Sequence, residues 1–210
     1  MKRTFKKLMG MVTVATMSTM LVSGVAQADA EYTIKLANSN APFTNIDGQS
    51  VIDAVNAGCF AFENYVEQAS GGRIEVEIYD SGALGGSVEG LQQCMQNVVQ
   101  ACVTGDGELS TLYSKLQVLS VPYIVDNRIE FYDLLDSEFM QDLFAGMQDE
   151  LGVRIVAASD NGGFRSISNN SHAIHSAEDL KGLKIRSMEV PAYQIMLESM
   201  GATATPIAWA

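Results

Sequence analysis

The sequence predicts an α/β fold, and two kinds of hydrophobic periodicity support that prediction. Apolar and polar residues alternate in YTIKLA, Tyr32–Ala37, and in RIEVEIYD, residues 73–80, as they do in half-buried strands. Between these segments, apolar residues recur every three or four positions from about residue 50 to residue 69, which is typical of an amphipathic helix. Because strand, helix and strand follow one another, the sheet is expected to be largely parallel.

The remaining elements of the first half follow in order. A polar loop containing Pro42 is expected after the first strand, and Ser70-Gly71-Gly72 ends the first helix in the manner of a glycine C-cap. The glycine-rich turn SGALGGS then leads into a second helix over 87–97. A third strand is expected over 99–104, and it opens into the loop 105–108.

The second half continues with the same kinds of element. The apolar run 118–126 contains Pro122 and suits a crossing segment better than a central strand, because proline cannot donate to a strand ladder. The further elements are a helix over 128–150 stopped by Gly152, a strand over 153–159, a helix start at Ser176 with Asp179 in a capping box, the strand LKIRSM, a helix over 190–200, and a strand or loop at ATATPIAWA. This pattern predicts two α/β lobes that meet near Asp126 and again near Ser159.

Charge and composition narrow the function classes. The 210 residues include 13 Lys and Arg against 25 Asp and Glu, for a formal net charge of -12. That balance argues against a nucleic-acid partner, which would need a basic face to neutralise phosphates. Apolar residues make up 47% of the chain, which is enough for a core, so global disorder is not expected.

The N-terminal segment has the pattern of an export signal. Basic residues precede an apolar run of small residues, about 8–25, and small-residue cleavage patterns follow it. We expect cleavage after Ala28 and secretion of the mature chain. A membrane anchor is the alternative, but polar residues such as Thr13 and Ser18 interrupt the run and no basic stop follows it.

Three cysteines, Cys59, Cys94 and Cys102, are an odd number for an oxidising compartment, so at most one disulfide can form within the chain. Cys94 and Cys102 flank a predicted helix-to-strand junction, whereas Cys59 lies in a different helix. Burial of all three as small apolar residues is the favoured interpretation. The sequence has no CxxC motif or Cys/His cluster, so neither a metal nor a cofactor is expected.

Two arginines stand out in a sequence without a nucleophile elbow, GxGxxG, Walker loop or HExxH motif. Arg165 closes the loop NGGFR after a predicted strand, and Arg186 ends the predicted strand LKIR. Both side chains are therefore expected at the carboxyl ends of strands, where open α/β sheets bind ligands, and a guanidinium can pair bidentately with a carboxylate. The alternative is that each arginine pairs with an acidic residue of the chain itself, such as Glu189 or Asp179.

Several segments, in this order, resemble one family. They are YTIKLA, ENYVEQASGGRIEVEIYDSGALGG, LSVPYIV, NGGFRSISN, DLKGLKIRSMEVP and GATATPIAW. Together they resemble the periplasmic solute-binding proteins of TRAP transporters, the DctP type. The resemblance implies a signal peptide at 1–28 and a two-lobed clamp of the type II-like periplasmic-binding-protein fold, with lobe one at 29–126, a connecting helix and crossover at 127–158, and part of lobe two at 159–210. The second lobe is expected to be incomplete, because family members continue for on the order of a hundred residues beyond Ala210.

The same resemblance implies which residues bind the ligand. The arginine of the KIR motif, Arg186, is expected to form the principal salt bridge to a ligand carboxylate. The other residues that it implies are Arg165 as a second polar contact, Trp209 as a packing surface, Glu189 as a ligand contact or a support for the arginine, and Asp106 and Ser39 from lobe one. No catalytic residue and no metal ligand is implied.

The function implied is capture of a small organic acid and its delivery to the membrane permease subunits of a TRAP-type secondary transporter. The expected partners are a small carboxylate and the permease. Nucleic acid is not expected, and the protein is expected to be a monomer. Two alternatives stay open: the solute-binding protein of an ABC importer, and a secreted α/β enzyme that uses a carboxylate or Cys102.

Overall fold

The computed structural model describes residues 30–207, so the expected signal peptide and Trp209 lie outside the described residues. The strands are β1 (Tyr32–Ala37), β2 (Phe43–Ile46), β3 (Gln49–Ile52), β4 (Ile74–Tyr79), β5 (Ala101–Cys102), β6 (Lys184–Ser187) and β7 (Thr203–Pro206). The α-helices are α1 (Ala54–Ala69), α2 (Ser87–Met95), α3 (Asp106–Leu112), α4 (Arg128–Asp136), α5 (Glu138–Leu151) and α6 (Pro191–Ser199), and 3₁₀ helices cover Ser114–Ser120 and Ala177–Leu180. None of the described helices is long and apolar enough to cross a membrane.

A parallel three-stranded sheet forms the first part of the fold, in the order β4-β1-β5. β1 pairs with β4 along its whole length and with β5 only at Leu36 and Ala37. Helix α1 packs on this sheet, and the buried residues of the core between them are Leu36, Cys59 and Val76. The α/β class and the parallel pairing predicted from the sequence are confirmed.

Helix α1 begins and ends at local signals in the sequence. The Asp53 carboxylate accepts hydrogen bonds from two backbone N–H groups of the first turn. At the other end Gly71 and Gly72 adopt positive φ, and the Gly72 N–H donates to the Glu67 carbonyl at 2.9 Å. This is the Schellman arrangement, so the predicted glycine C-cap is confirmed.

A β-hairpin, β2 and β3, lies in the segment before α1, where the sequence predicted a polar loop and, from residue 50, the start of the helix. Its turn is Asp47-Gly48, with φ of 50° and 80°, the left-handed values that a two-residue hairpin turn requires. The predicted loop therefore holds only for residues 38–42, and the predicted helix start is wrong, because residue 50 lies in β3 and the helix begins at Ala54. An Asp-Gly pair between short β-prone segments is the sequence signal for such a turn.

A second hydrophobic core joins α2 and α3 to α4 and α5. Its buried residues are Leu91, Leu109, Tyr113, Leu116, Leu135, Met140 and Met147. The predicted helix over 128–150 is wrong as a single element, because it breaks at Ser137, whose ψ of 151° is extended. The Ser137 hydroxyl donates to the Leu134 carbonyl and accepts from the Met140 N–H, so it ends α4 and caps α5. The predicted stop at Gly152 is confirmed by its φ of 70°.

The third strand and the loop after it differ from the prediction. The strand expected over 99–104 is reduced to β5, because only Ala101 and Cys102 reach the β1 ladder. The loop expected at 105–108 is instead the start of helix α3, with Gly105 as its N-cap. Acidic residues in the first turn of α3 favour the helix, because they complement the positive end of its dipole.

The prediction of a strand over 153–159 is wrong. No residue of this segment pairs with another strand within residues 30–207, although Val153 and Ile155 pack against the second core. Strand propensity alone cannot form a ladder, since each strand needs hydrogen-bonding neighbours. The segment is held instead at Asp160, which forms a salt bridge of 2.7 Å with Arg128 and accepts a hydrogen bond of 2.7 Å from Tyr132.

A two-stranded parallel sheet, β6 and β7, forms the last part of the fold and packs against α6. Its small core is built on Leu180, Leu197 and Ala202. The capping box predicted at Ser176 and Asp179 is confirmed, with the Asp179 carboxylate accepting from the Ser176 N–H at 2.9 Å. The predicted strand LKIRSM and the helix after it are confirmed as β6 and α6.

Candidate functional site

The loop that follows β1 carries Ser39, one of the predicted ligand residues. Ser39 is buried, and its hydroxyl lies 2.9 Å from that of Ser87, the first residue of α2. The loop is held by Asn56 of α1, whose amide donates to the Ala41 carbonyl at 2.9 Å and accepts from the Asn38 amide at 3.0 Å. Buried side-chain amides therefore position Ser39 together with backbone hydrogen bonds such as that from the Asn38 N–H to the Tyr79 carbonyl at 2.9 Å.

A cleft runs from the N-terminus of α2 to the residues after β6. It is lined by Gly86, Ser87, Val88, Glu89, Glu108, Met188 and Glu189, and it encloses about 330 Å³ of empty space, part of which is open solvent. Ser87 connects the cleft to the buried Ser39, and Glu189 also lines the cleft. One predicted site residue, Glu189, therefore lines this concave surface, and a second, Ser39, lies behind it in contact with Ser87.

Three acidic residues, Glu89, Glu108 and Glu189, line this cleft. The Oε2 atom of Glu108 is buried and has no hydrogen-bond partner among residues 30–207. A Cβ placed on Gly105 would lie 2.5 Å from that oxygen, so the Glu108 carboxylate packs closely on the Gly105 backbone. Ionised carboxylates only accept hydrogen bonds, and they favour a ligand that offers hydroxyl or amino donors.

Arg165 and Asp106 meet on the side chain of Tyr193, which lies in α6. The Arg165 guanidinium carbon is 4.4 Å from the centroid of the Tyr193 ring, and its Nη2 donates to the tyrosine hydroxyl at 3.3 Å. The same hydroxyl donates to Asp106 Oδ2 at 3.3 Å. Burial first, and then the charge of Asp106, raises the pKa of Tyr193, so its hydroxyl stays protonated and can donate.

Backbone packing brings these residues together. Gly107 of α3 lies so close to α6 that a Cβ there would be 2.7 Å from Val190 Cγ2 and 3.2 Å from Tyr193 Cε2. Sequence reasoning identified Arg165 and Asp106 but missed Tyr193. A signal was present, because Tyr193 lies in the first turn of the helix that follows the KIR strand.

The environment of Arg165 differs from the prediction in one respect. It does not follow a strand, because residues 153–159 form none. Its Nη1 lies 3.8 Å from the sulfur of Met188, which lines the cleft, so the guanidinium is at the border of that cleft. Within residues 30–207, Arg165 makes no salt bridge to a carboxylate, which leaves its charge available to an anionic ligand.

Arg186 lies on β6, and its Nη2 donates to the Ile207 carbonyl at 2.5 Å. It is not among the residues that line the cleft. Asp179, one of the acidic partners considered for it, is held by the backbone N–H groups of His175 and Ser176, which lower its pKa. Trp209, which follows Ile207 by two residues, lies outside the described residues.

No group of three or more His, Cys, Asp or Glu side chains in the described part of the chain is placed to hold a metal ion. The polar groups that border the cleft are carboxylates, hydroxyls and one guanidinium, and this set is suited to binding a polar organic molecule.

Comparison with known proteins identifies proteins that are similar to this chain. The family model DctP, "Bacterial extracellular solute-binding protein, family 7", matches residues 50–210. The ectoine-binding periplasmic protein TeaA of Halomonas elongata is 28% identical over 153 residues, which are 71% of this chain and 43% of that protein.

Solved structures show the same similarity in three dimensions. A TRAP periplasmic solute-binding protein of Sulfitobacter with bound β-D-galacturonate is 27% identical with a TM-score of 0.75, and the match covers 84% of this chain and 55% of that one. One from Polaromonas bound to D-erythronate is 25% identical with a TM-score of 0.75, and covers 85% and 55%. The chain therefore spans about half the length of the proteins it matches.

Proposed function

This chain belongs to the DctP family of bacterial extracellular solute-binding proteins, family 7, and we propose that it captures a small organic acid and delivers it to a TRAP-type membrane permease. The observation that carries the proposal is the guanidinium of Arg165. It is held over the ring of Tyr193 at the border of the cleft and makes no salt bridge within residues 30–207. A guanidinium positioned in this way can bind a ligand carboxylate without first breaking an internal ion pair.

The lobes of the proposed clamp are residues 29–126 and 159–210, connected by 127–158. The contact of α3 with α6, where Tyr193 donates to Asp106, supports a ligand site between them. Binding there would favour the closed arrangement of the lobes, because the ligand would contact both.

The proposed ligand residues are those of the sequence prediction, with Tyr193 added. Arg165 and Arg186 would hold the carboxylate, with Trp209 packing on the ligand. Glu189, Asp106 and Ser39 would contribute polar contacts. Together with the Glu89 and Glu108 carboxylates of the cleft, these acceptors favour an acid that also carries hydroxyl groups. The galacturonate and erythronate bound by similar proteins are acids of this kind.

We further propose export through the segment 1–28 with cleavage after Ala28, and a binding role without catalysis. The similar proteins are named periplasmic, which supports the location. The alternative of an enzyme based on Cys102 is disfavoured, because contact with Cys94 and burial raise the pKa of the Cys102 thiol and leave it a poor nucleophile.

The test is a comparison of D-galacturonate with D-galactose, which carries the same ring hydroxyls without the carboxylate. Thermal unfolding of the purified protein at increasing ligand concentration measures the stabilisation that binding supplies. We expect the acid to raise the melting temperature and the neutral sugar to leave it unchanged. D-Erythronate and erythritol form a second pair with the same contrast.

Matched variants connect the result to the site. Arg165→Ala and Arg186→Ala are each expected to weaken acid binding at least about tenfold, because each removes a charge partner of the carboxylate. Arg73→Ala is the control, since Arg73 forms an exposed salt bridge with Glu31 away from the cleft. Equal binding of acid and sugar, or unchanged affinity in both site variants, would contradict the proposal.

A further inference from the structure

We propose that Cys94 and Cys102 form a disulfide bond in the exported protein, and that Cys59 remains a free thiol. Export is part of the proposed function, but the disulfide does not depend on the ligand. Each can therefore fail without the other.

Close packing of α2 on the first sheet brings the two cysteines together. Helix α2 crosses the sheet at Gly90, where a Cβ would lie 3.4 Å from that of Ala37 and 3.8 Å from that of Cys102. Cys94 lies four residues after Gly90 and therefore on the same face of the helix. That face is the one that rests on β5.

The turn between the two cysteines returns the chain beneath the helix. Asn97 has a left-handed φ of 56°, and the Val98 N–H donates to the Gln93 carbonyl at 2.9 Å, which ends α2 in a Schellman-type turn. The Gln100 N–H then donates to the Lys35 carbonyl, so the next residues enter the sheet as β5. The end of α2 is thereby held against the strand that contains Cys102.

The packing of α2 on β5 places the two thiols next to each other, and their interaction separates their pKa values. The hydrogen bond with Cys102 lowers the pKa of Cys94, whereas the hydrogen bond with Cys94, followed by burial, raises the pKa of Cys102. Cys94 is therefore the thiol that reacts first, because the thiolate is the nucleophile in disulfide exchange. Both residues are only partly buried, so the prediction that all three cysteines are buried holds for Cys59 alone.

The reaction needs an oxidant of the disulfide class, such as oxidised glutathione or a thiol–disulfide oxidoreductase. The Cys94 thiolate attacks the oxidant's disulfide, forms a mixed disulfide and releases one sulfur of the oxidant as a thiolate. The Cys102 sulfur then loses its proton, attacks Cys94 Sγ and releases the second sulfur of the oxidant. Overall two protein thiols are oxidised by two electrons, and the oxidant's disulfide is reduced to two thiols.

Cys59 is the internal control. It is buried in the core between α1 and the first sheet, and burial raises the pKa of its thiol. Its polar neighbour is the Asn38 amide, whose Nδ2 lies 3.9 Å from Cys59 Sγ. A buried thiol with a raised pKa reacts slowly with external disulfides.

The pairing can be tested by thiol counting and by cleavage at methionine. The reduced protein is incubated with oxidised and reduced glutathione, and thiols are titrated in denaturant. We expect one thiol instead of the three in the sequence, and a mass about 2 Da lower. Cyanogen bromide cleaves after Met95, between the two cysteines, so a disulfide would hold the fragment that ends at Met95 to the fragment 96–140 until a reductant is added.

Variants identify the partners. Cys59→Ala should keep the linkage between the two fragments, whereas Cys94→Ala and Cys102→Ala should each abolish it. In Cys102→Ala the glutathione adduct on Cys94 should accumulate, because no second thiol is present to displace it. The proposal is overturned if three thiols titrate after oxidation, or if the linkage is lost in Cys59→Ala and kept in Cys94→Ala.

Discussion

The two parallel sheets differ in how completely their strands and buried polar groups are paired. In the first sheet β1 has hydrogen-bonded neighbours on both sides, whereas β6 in the second sheet pairs with β7 alone among the described strands. The buried Asn56 beside the first sheet is fully engaged in hydrogen bonds. Ser187 at the end of β6 is also buried, but its hydroxyl has no partner within residues 30–207.

The difference shows where this fold supplies hydrogen-bond partners for its buried polar groups. A polar group can be buried at little cost only where neighbouring loops and helices supply partners for it. Around Asn56 the loop after β1 and the cap of α1 supply them, and the same contacts hold Ser39 next to the cleft. At Ser187 a single neighbouring strand supplies backbone pairing and nothing for the side chain.

The largest effect is expected for Asn56→Ala. It should lower the free energy of unfolding by about 3 kcal/mol, because the Ala41 carbonyl and the Asn38 amide would lose their buried partner. Asn64→Ala on the same helix is the control, since the Asn64 amide donates to the Phe60 carbonyl in an exposed position. Urea unfolding measures both variants. Equal losses in the two would show that the first sheet does not depend on its buried amides.

An intermediate effect is expected at the contact between α3 and α6. Gly107→Ala should cost about 2 kcal/mol, because the added methyl group overlaps Val190 and Tyr193 and forces α3 from α6. Gly58→Ala is the control, since a Cβ there meets open space in the middle of α1 and should stabilise the helix by about 0.5 to 1 kcal/mol.

The readout is again urea unfolding, together with the part of the tyrosine fluorescence that is lost in Tyr193→Phe, since Tyr193 is one of seven tyrosines. A loss of stability in Gly107→Ala that leaves the tyrosine environment unchanged would place the strain elsewhere. No loss at all would mean that α3 and α6 are not held at this distance.

The smallest effect is expected for Ser187→Ala. It removes a hydroxyl that has no hydrogen-bond partner among the described residues, so the free energy of unfolding should change by less than about 0.5 kcal/mol or rise slightly. The matched variant is Ser110→Ala in α3, where the buried hydroxyl donates to the Gly107 carbonyl at 2.7 Å. That variant should lose about 1 kcal/mol.

Comparing the two serine variants tests whether the buried Ser187 hydroxyl lacks a hydrogen-bond partner. If Ser187→Ala is as destabilising as Ser110→Ala, the Ser187 hydroxyl has a partner in solution, and the second sheet satisfies its polar groups after all. Thermal unfolding at neutral pH is sufficient for this comparison, since neither hydroxyl titrates.

Much of the local structure could be predicted from the sequence. The alternation in YTIKLA and the glycine pair after α1 correspond directly to β1 and to the Schellman turn, because both depend on residues close together in the chain. The capping box at Ser176 was predictable for the same reason. The Asp47-Gly48 hairpin turn and the break at Ser137 differ from the prediction, although both also depend on residues close together in the chain.

The candidate site was predictable only in part. Arg165 and Asp106 were identified, but Tyr193, on which both converge, lies 28 residues from the first and 87 from the second. No periodicity connects residues so far apart. The cleft likewise combines the start of α2 with residues after β6, a pairing that depends on how the two parts of the fold pack.

The sequence by itself determined the α/β class, most helix ends and the arginine-bearing motifs, because these depend on side-chain periodicity and on backbone preferences within a few residues. Only the tertiary structure decided that residues 153–159 form no strand, that Tyr193 links Arg165 to Asp106, and that Cys94 touches Cys102. The physical reason is that a ladder, a buried hydrogen bond and a thiol pair each require a second group brought from elsewhere in the fold. Whether that group arrives is settled by the packing of whole helices and sheets.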